Sequence, residues 1–178
     1  MARSVDRYSY EFLLSRAIAY VSFRLRSSRE LTNYLTRRSG SDPAIDTVTR
    51  VMARMVELGY VNDEAFAKSY AHDQLLVRRK GAMLVRCQLA AKGIDPEIVS
   101  RVLRALASDD TIPDEKTQAV KAMGRRMSAW DVLPPPMRRR KMTEFLMRRG
   151  FSSGCIRTLV DDSAGSDYNK EEGNGEDG

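Results

Sequence analysis

Apolar residues recur along this chain at separations of three, four and seven, the spacing of one helix face, and no stretch reads as an alternating strand. Between Tyr8 and Phe23, the residues Phe12, Ala19 and Phe23, with Leu13 and Tyr20 beside them, make the first apolar side. Ser27 and Glu30 then form S-x-x-E, a capping box in which each side chain satisfies the other's free amide. It opens a second helix carrying Leu31, Tyr34 and Leu35, which Gly40 ends. Asp42-Pro43 starts a third, because proline in a first turn loses no hydrogen bond and already has helical φ. Its apolar positions are Ile45, Val48, Met52, Met55 and Val56, and Gly59 caps it.

The same order then returns. Asn62 and Asp63 offer capping oxygens to a helix with Phe66, Tyr70 and Val77 on one side. After Gly81 a second helix carries Leu84, Val85 and Leu89 up to Gly93, and Asp95-Pro96 opens a third with Ile98, Val99, Val102, Leu103 and Leu106. Leu89 lies 54 residues after Leu35, while Gly93 and Asp95-Pro96 lie 53 after Gly40 and Asp42-Pro43. A third unit is worn. Its helices are expected over 114–127, 134–149 and 151–160, with Leu146 and Gly150 each 57 residues after Leu89 and Gly93. An insertion falls around Trp130 and Pro134-Pro135-Pro136, and Ser152-Ser153 replaces Asp-Pro as the cap. Three matched caps argue for an internal repeat. The expected fold is all-α: three tandem three-helix repeats over 8–60, 61–108 and 112–161, stacked into an elongated, curved array without β-sheet. Residues 162–178, acidic and rich in glycine, are expected to be a disordered tail.

Composition narrows the class. Charged residues make up 30% of the 178 and aromatics 7%, as suits a soluble helical protein with broad polar faces. No apolar run approaches the roughly 18 residues of a membrane span, and the first residues lack a leader's apolar core, so a cytoplasmic protein is expected. Cys87 and Cys155 have no C-x-x-C partner and read as reduced thiols. His72, the only histidine, stands apart from any ligand cluster, and no metal or cofactor is expected. The net charge of +6 is uneven: residues 161–178 hold seven acids and one lysine, a net of −6, which leaves +12 on the rest. A basic body of this kind suits a polyanionic partner, nucleic acid before membrane.

Catalytic signatures are missing. There is no phosphate-binding glycine loop ending in Lys-Ser or Lys-Thr, no His-Glu-x-x-His, and no nucleophile with a histidine near it in sequence. Asp63-Glu64 sits in a first turn, where capping and the helix dipole account for it. Basic residues instead recur at the junction before the second helix of each unit. They are Arg24, Arg26 and Arg29; Arg78, Arg79 and Lys80; and Arg138, Arg139, Arg140 and Lys141, with Arg86 and Lys92 completing the set. In a stacked array such positions would form a stripe suited to phosphates or to an acidic protein groove. Charge at helix ends, complementing the dipole, accounts for some of them.

Three motifs carry a family resemblance. The first is S-x-x-E-L-x-x-x-L at Ser27, Glu30, Leu31 and Leu35. The second is D-E-x-F-A-x-x-Y at Asp63, Glu64, Phe66, Ala67 and Tyr70, and the third runs through Lys80, Gly81, Leu89, Lys92, Gly93 and Ile94. Over about residues 10–160 the chain resembles the RecX regulatory proteins of bacteria. The resemblance implies a non-enzymatic modulator that binds the RecA filament on single-stranded DNA and restrains its growth, ATP hydrolysis and strand exchange. It also implies contact with single- or double-stranded DNA with little sequence dependence. A monomer is expected. The triple proline and the acidic tail depart from the family pattern. A sequence-independent nucleic-acid-binding repeat protein acting without RecA stands as the alternative, as does a scaffold for some other assembly. Phe66, Tyr70 and Tyr34 fit apolar helix faces rather than base-stacking platforms, which weighs against the nucleic-acid alternative.

Overall fold

The computed structural model describes residues 9–39, 45–124 and 126–172, with the backbone alone at 39 and from 164 onward. Ten α-helices and no strand occur among the described residues: α1 (Tyr10–Val21), α2 (Ser28–Ser39), α3 (Ile45–Glu57), α4 (Asp63–His72), α5 (Ala82–Ala91), α6 (Pro96–Ala107), α7 (Glu115–Met123), α8 (Arg126–Asp131), α9 (Pro135–Arg149) and α10 (Ser153–Glu172). A π-helical segment, Asp73–Val77, prolongs α4. Gly40 and Asp42-Pro43, expected to end α2 and start α3, lie outside the described residues. The helices form two compact units, residues up to 70 with 89–102, and 71–88 with 103 onward.

In the first unit α1, α2 and α3 pack on one another around Leu13, Ala17, Leu31, Leu35, Val48, Val51, Met55 and Val61. Ser9 caps α1 by accepting from the Phe12 amide at 3.2 Å. The capping box of α2 forms as its residues dictate. The Glu30 amide donates to Ser27 Oγ at 3.1 Å and the Ser27 amide to Glu30 Oε2 at 3.3 Å. Several apolar positions turn outward instead. Phe23 is 87% exposed because α1 stops at Val21, where the Ser22 amide and hydroxyl both donate to the Ile18 carbonyl. Ile45, Val56 and Ala19 are exposed too, so the buried stripe is narrower than the apolar pattern.

The second unit is centred on Ala119, Met123, Met142, Phe145, Leu146, Phe151, Ile156 and Leu159, with α10 against α7 and α9. Gly124, at φ 42°, separates α7 from α8 where a single helix over 114–127 was expected. Ser152 caps α10 through the Cys155 amide, and the carboxylate of Glu115 accepts from both the amide and the hydroxyl of Ser152, at 2.7 and 2.6 Å. Val77 is exposed at the end of the π segment, whose extra residue per turn rotates it off the apolar side of α4. The backbone of α10 stays helical to Glu172, where an unstructured tail was expected from 162. No proline interrupts that stretch, and extending a nucleated helix fixes few dihedrals per hydrogen bond gained. Residues 173–178 lie outside the described residues.

Leu35, Leu89 and Leu146, the leucines of the repeat register, are each fully buried. Two of the helices they close end identically. Ile94 donates to the Leu89 carbonyl at 3.1 Å and Phe151 to the Leu146 carbonyl at 3.2 Å, with Gly93 and Gly150 left-handed at φ 77° and 79°.

Candidate functional site

In the first unit the basic residues gather round one carboxylate. Arg24 reaches both oxygens of Glu30 at 3.3 Å from the loop after α1, and Lys92 reaches Oε1 at 2.8 Å from the end of α5. Burial pushes the Glu30 carboxyl up, but the hydrogen bonds from Lys92 and Arg24 outweigh it and hold the group below its ordinary pKa. The Lys92 ammonium also lies 5.7 and 5.2 Å from the rings of Phe66 and Tyr70, while its carbonyl accepts from Ser27 Oγ at 2.8 Å. Arg29 is exposed, and its aliphatic stem covers Gly93, where a β-carbon would collide with it. Four of the anticipated binding residues, Arg24, Arg26, Arg29 and Lys92, therefore surround the N-terminus of α2, and Lys92 serves the fold as well.

Tyr20 and Tyr34 stack beside them, 4.0 Å apart and 4° from parallel. The Arg26 guanidinium lies 4.0 Å above Tyr20 and that of Arg38 lies 5.4 Å from Tyr34. The sequence reading missed this arrangement and with it Arg37 and Arg38. The available signal was basic charge in the last turn of α2, one turn beyond a tyrosine.

In the second unit Arg78, Arg79 and Lys80 link the π segment to α5. Arg78 is exposed, 3.7 Å from Asp73. Arg79 has the only left-handed backbone among the described non-glycine residues, φ 52°, and donates to the Lys121 carbonyl at 2.8 Å. Lys80 donates to Gln74 Oε1 at 2.6 Å and to Gln88 at 3.3 Å. Arg149 locks the turn from α9 by donating to the carbonyls of Arg78 and Arg79 at 2.7 and 3.0 Å. Arg86, Arg139, Arg140 and Lys141 are exposed, Arg140 beside Glu144 at 2.8 Å. Arg138 corrects the expectation of a solvent-facing run. The phase of α9 that buries Met142 and Phe145 carries it inward, to 7% exposure.

No group of three or more histidine, cysteine or acidic residues suited to a metal occurs among the described residues, and His72 is exposed. Both cysteines are free thiols. Burial first, then Glu115 and Asp114, raise that of Cys155. An apolar groove of about 600 Å³ opens on the second unit between Met83, Cys87, Met147 and Ile156, with Arg157 and Asp161 as its charged lining. No helix among the described residues is long and apolar enough to cross a membrane.

A chain of short capped helices in three-helix groups, with cations at the helix junctions, is the construction of a helical-repeat protein. Its sequence matches the RecX second three-helix domain over residues 62–103 and the RecX third three-helix domain over 114–160, together half of the chain. The Regulatory protein RecX of Listeria innocua serovar 6a is 30% identical over 140 residues, 79% of this chain and 49% of that protein. The protein of the same name from Bacillus subtilis is 27% identical over 147 residues, 83% of this chain and 53% of that protein. The chain thus spans about half the length of these relatives. The crystal structure of RecX from Lactobacillus salivarius superposes with a TM-score of 0.72 at 22% identity, covering 86% of this chain and 95% of that one, so the fold is shared. This chain belongs to the RecX family.

Proposed function

We propose that this chain is a non-enzymatic regulator that binds the RecA filament on single-stranded DNA and inhibits its ATP hydrolysis, growth and strand exchange. The observation that carries the reading is the match of residues 62–103 and 114–160 to the family's three-helix domains, in a chain whose relatives are named regulatory proteins. The cations agree with it in kind. Arg78, Arg86 and Arg139 are exposed, Arg78 at 3.7 Å from Asp73, while Arg79, Lys80 and Lys92 hold a turn and a helix end of the fold, so the first three are the residues at which contact with phosphates or an acidic groove is tested.

The test is RecA ATPase on single-stranded DNA with and without the protein, alongside binding to naked DNA. Inhibition at protein concentrations below those needed to coat the DNA supports the reading, and alanine at Arg78, Arg86 and Arg139 should weaken it without loss of helicity. An inert wild-type protein that still binds DNA would transfer the proposal to a nucleic-acid-binding repeat protein acting without RecA.

A further inference from the structure

The first unit bears a surface that the matched domains do not include, since they begin at residue 62. Its centre is the column of Arg26, Tyr20, Tyr34 and Arg38, in which two parallel rings 4.0 Å apart are covered at either end by a guanidinium. Together with Glu30, Asn33 and Arg37, the tyrosines and Arg38 line a recess of about 360 Å³. The loop leaving α1 passes beside it, tied down where Arg24 bonds Glu30. On that loop Phe23 stands 87% exposed and Leu25 50% exposed.

Folding accounts for the tyrosines, half-buried against the core of the first unit, but not for Phe23. A phenylalanine left in water forgoes the stabilisation its burial would bring, and here it is placed between serine and arginine beyond a helix end. A single exposed apolar residue is ordinary; here the exposed ring is the chain neighbour of Arg24, which bonds Glu30 in the lining of a recess that also holds Arg37 and Arg38. The recess has one acid, Glu30, and its oxygens are already engaged by Arg24, Lys92 and the Ser27 amide. Positive charge therefore dominates. The dipole of α2 favours arginines in its last turn but gives no reason for an exposed phenylalanine beyond the end of α1.

We propose that this face binds single-stranded nucleic acid, Phe23 stacking on a base while Arg37 and Arg38 hold phosphates and the tyrosine column fixes the arginine that flanks it. The inference rests on the reading above for the presence of a single strand. A duplex hides its base faces and could use the arginines but not the phenyl ring. An acidic protein surface would likewise engage the guanidiniums and leave the ring in water.

The experiment compares wild type, Phe23→Ala, Phe23→Trp and the double variant Arg37→Ala/Arg38→Ala on a 15-mer of thymidylate and on an abasic 15-mer with the same backbone. Phe23→Ala should bind the thymidylate strand about 5- to 150-fold more weakly, the range for one stacked base, with the abasic strand unaffected and with Phe23→Trp retaining affinity. The arginine pair should lower the slope of log K against log salt by about 1.4, at about 0.7 per single-strand phosphate, on both strands. Equal losses on both strands with Phe23→Ala, or no loss on either, would overturn the proposal. Were Phe23→Ala to weaken RecA inhibition yet bind both strands normally, the ring would contact protein, and the inference would fail while the proposed function stood. Conversely, the selective loss on thymidylate in a protein without effect on RecA would sustain the site and remove the proposed function.

Discussion

Glu30 accepts from Arg24, Lys92 and the Ser27 amide, so its ionised form helps hold the first unit together. Its folded pKa is depressed. The contribution is therefore complete above the unfolded value, about pH 4.3, and is lost as pH falls through the lower folded value. Thermal melts between pH 7 and 3 should show Glu30→Gln less stable at neutrality and less sensitive to acid than wild type. Parallel curves for the two proteins would mean that the carboxylate carries no net stabilisation. A second residue gives a cleaner comparison. Arg79→Ala and Arg79→Gly both lose the bond to the Lys121 carbonyl, but only glycine adopts φ 52° without strain. In urea titrations the glycine variant should be the more stable by about 1 kcal/mol. At this scale the sequence is only partly legible. The burial of Leu35, Leu89 and Leu146 follows from their register, because a repeat must bury the same position each time. Phe23 and Val77 do not, because both lie at helix ends, where two residues of difference decide between core and solvent. Nor does Arg138, whose neighbours in the run are exposed and whose direction depends on the phase of α9.

Helices in this chain are joined by turns whose shape is set by glycine and by arginine. Gly81 has no room for a side chain. A β-carbon there would meet the carbonyl of Gly150, which is backbone and cannot rotate away. The Gly81 amide meanwhile donates to the Arg149 carbonyl at 2.8 Å, and the Arg149 side chain returns to the carbonyls of Arg78 and Arg79. Gly81→Ala should therefore destabilise the second unit by about 1–3 kcal/mol, as an overpacked site does. Gly154→Ala is the control, since nothing lies within 4 Å of its added carbon. Equal midpoints in denaturant for the two variants would show that α5 can withdraw from α9 at no cost. Sequence marks Gly81 and Gly150 as punctuation but cannot pair them, since they are 69 residues apart and nothing local records the contact. The caps differ in the same respect. Ser27 and Glu30 are three apart and readable as a box, whereas Glu115 accepts from both the amide and the hydroxyl of Ser152 across 37 residues.

For the whole molecule, charge remains divided between a basic body and an acidic end. Lys116 already binds Asp162 at 2.7 Å, so acid from this end does meet cations of the second unit. Removing residues 164–178 spares that bridge and deletes five acids and one lysine. The shortened protein should bind polyanions more tightly below about 50 mM salt, and the gain should fade above about 150 mM, where screening acts within about 8 Å. Identical affinity at every ionic strength would leave the acidic end a solubilising appendage. Helical content is also legible at this scale, since caps and apolar spacing recur through the chain. The division into two units that both draw on residues 61–108 is not, because sequence repeats give helix order and say nothing about which contacts dominate.

The stacked tyrosines have an optical consequence. Two cofacial phenols 4.0 Å apart couple their transitions, and both belong to the first unit. Trp130, the sole tryptophan, packs edge-on at 5.5 Å from Phe145 in the second. Each unit thus carries its own chromophore. Near-ultraviolet circular dichroism of the tyrosine pair and emission of the tryptophan, followed through one urea titration, can time the loss of each unit without any label.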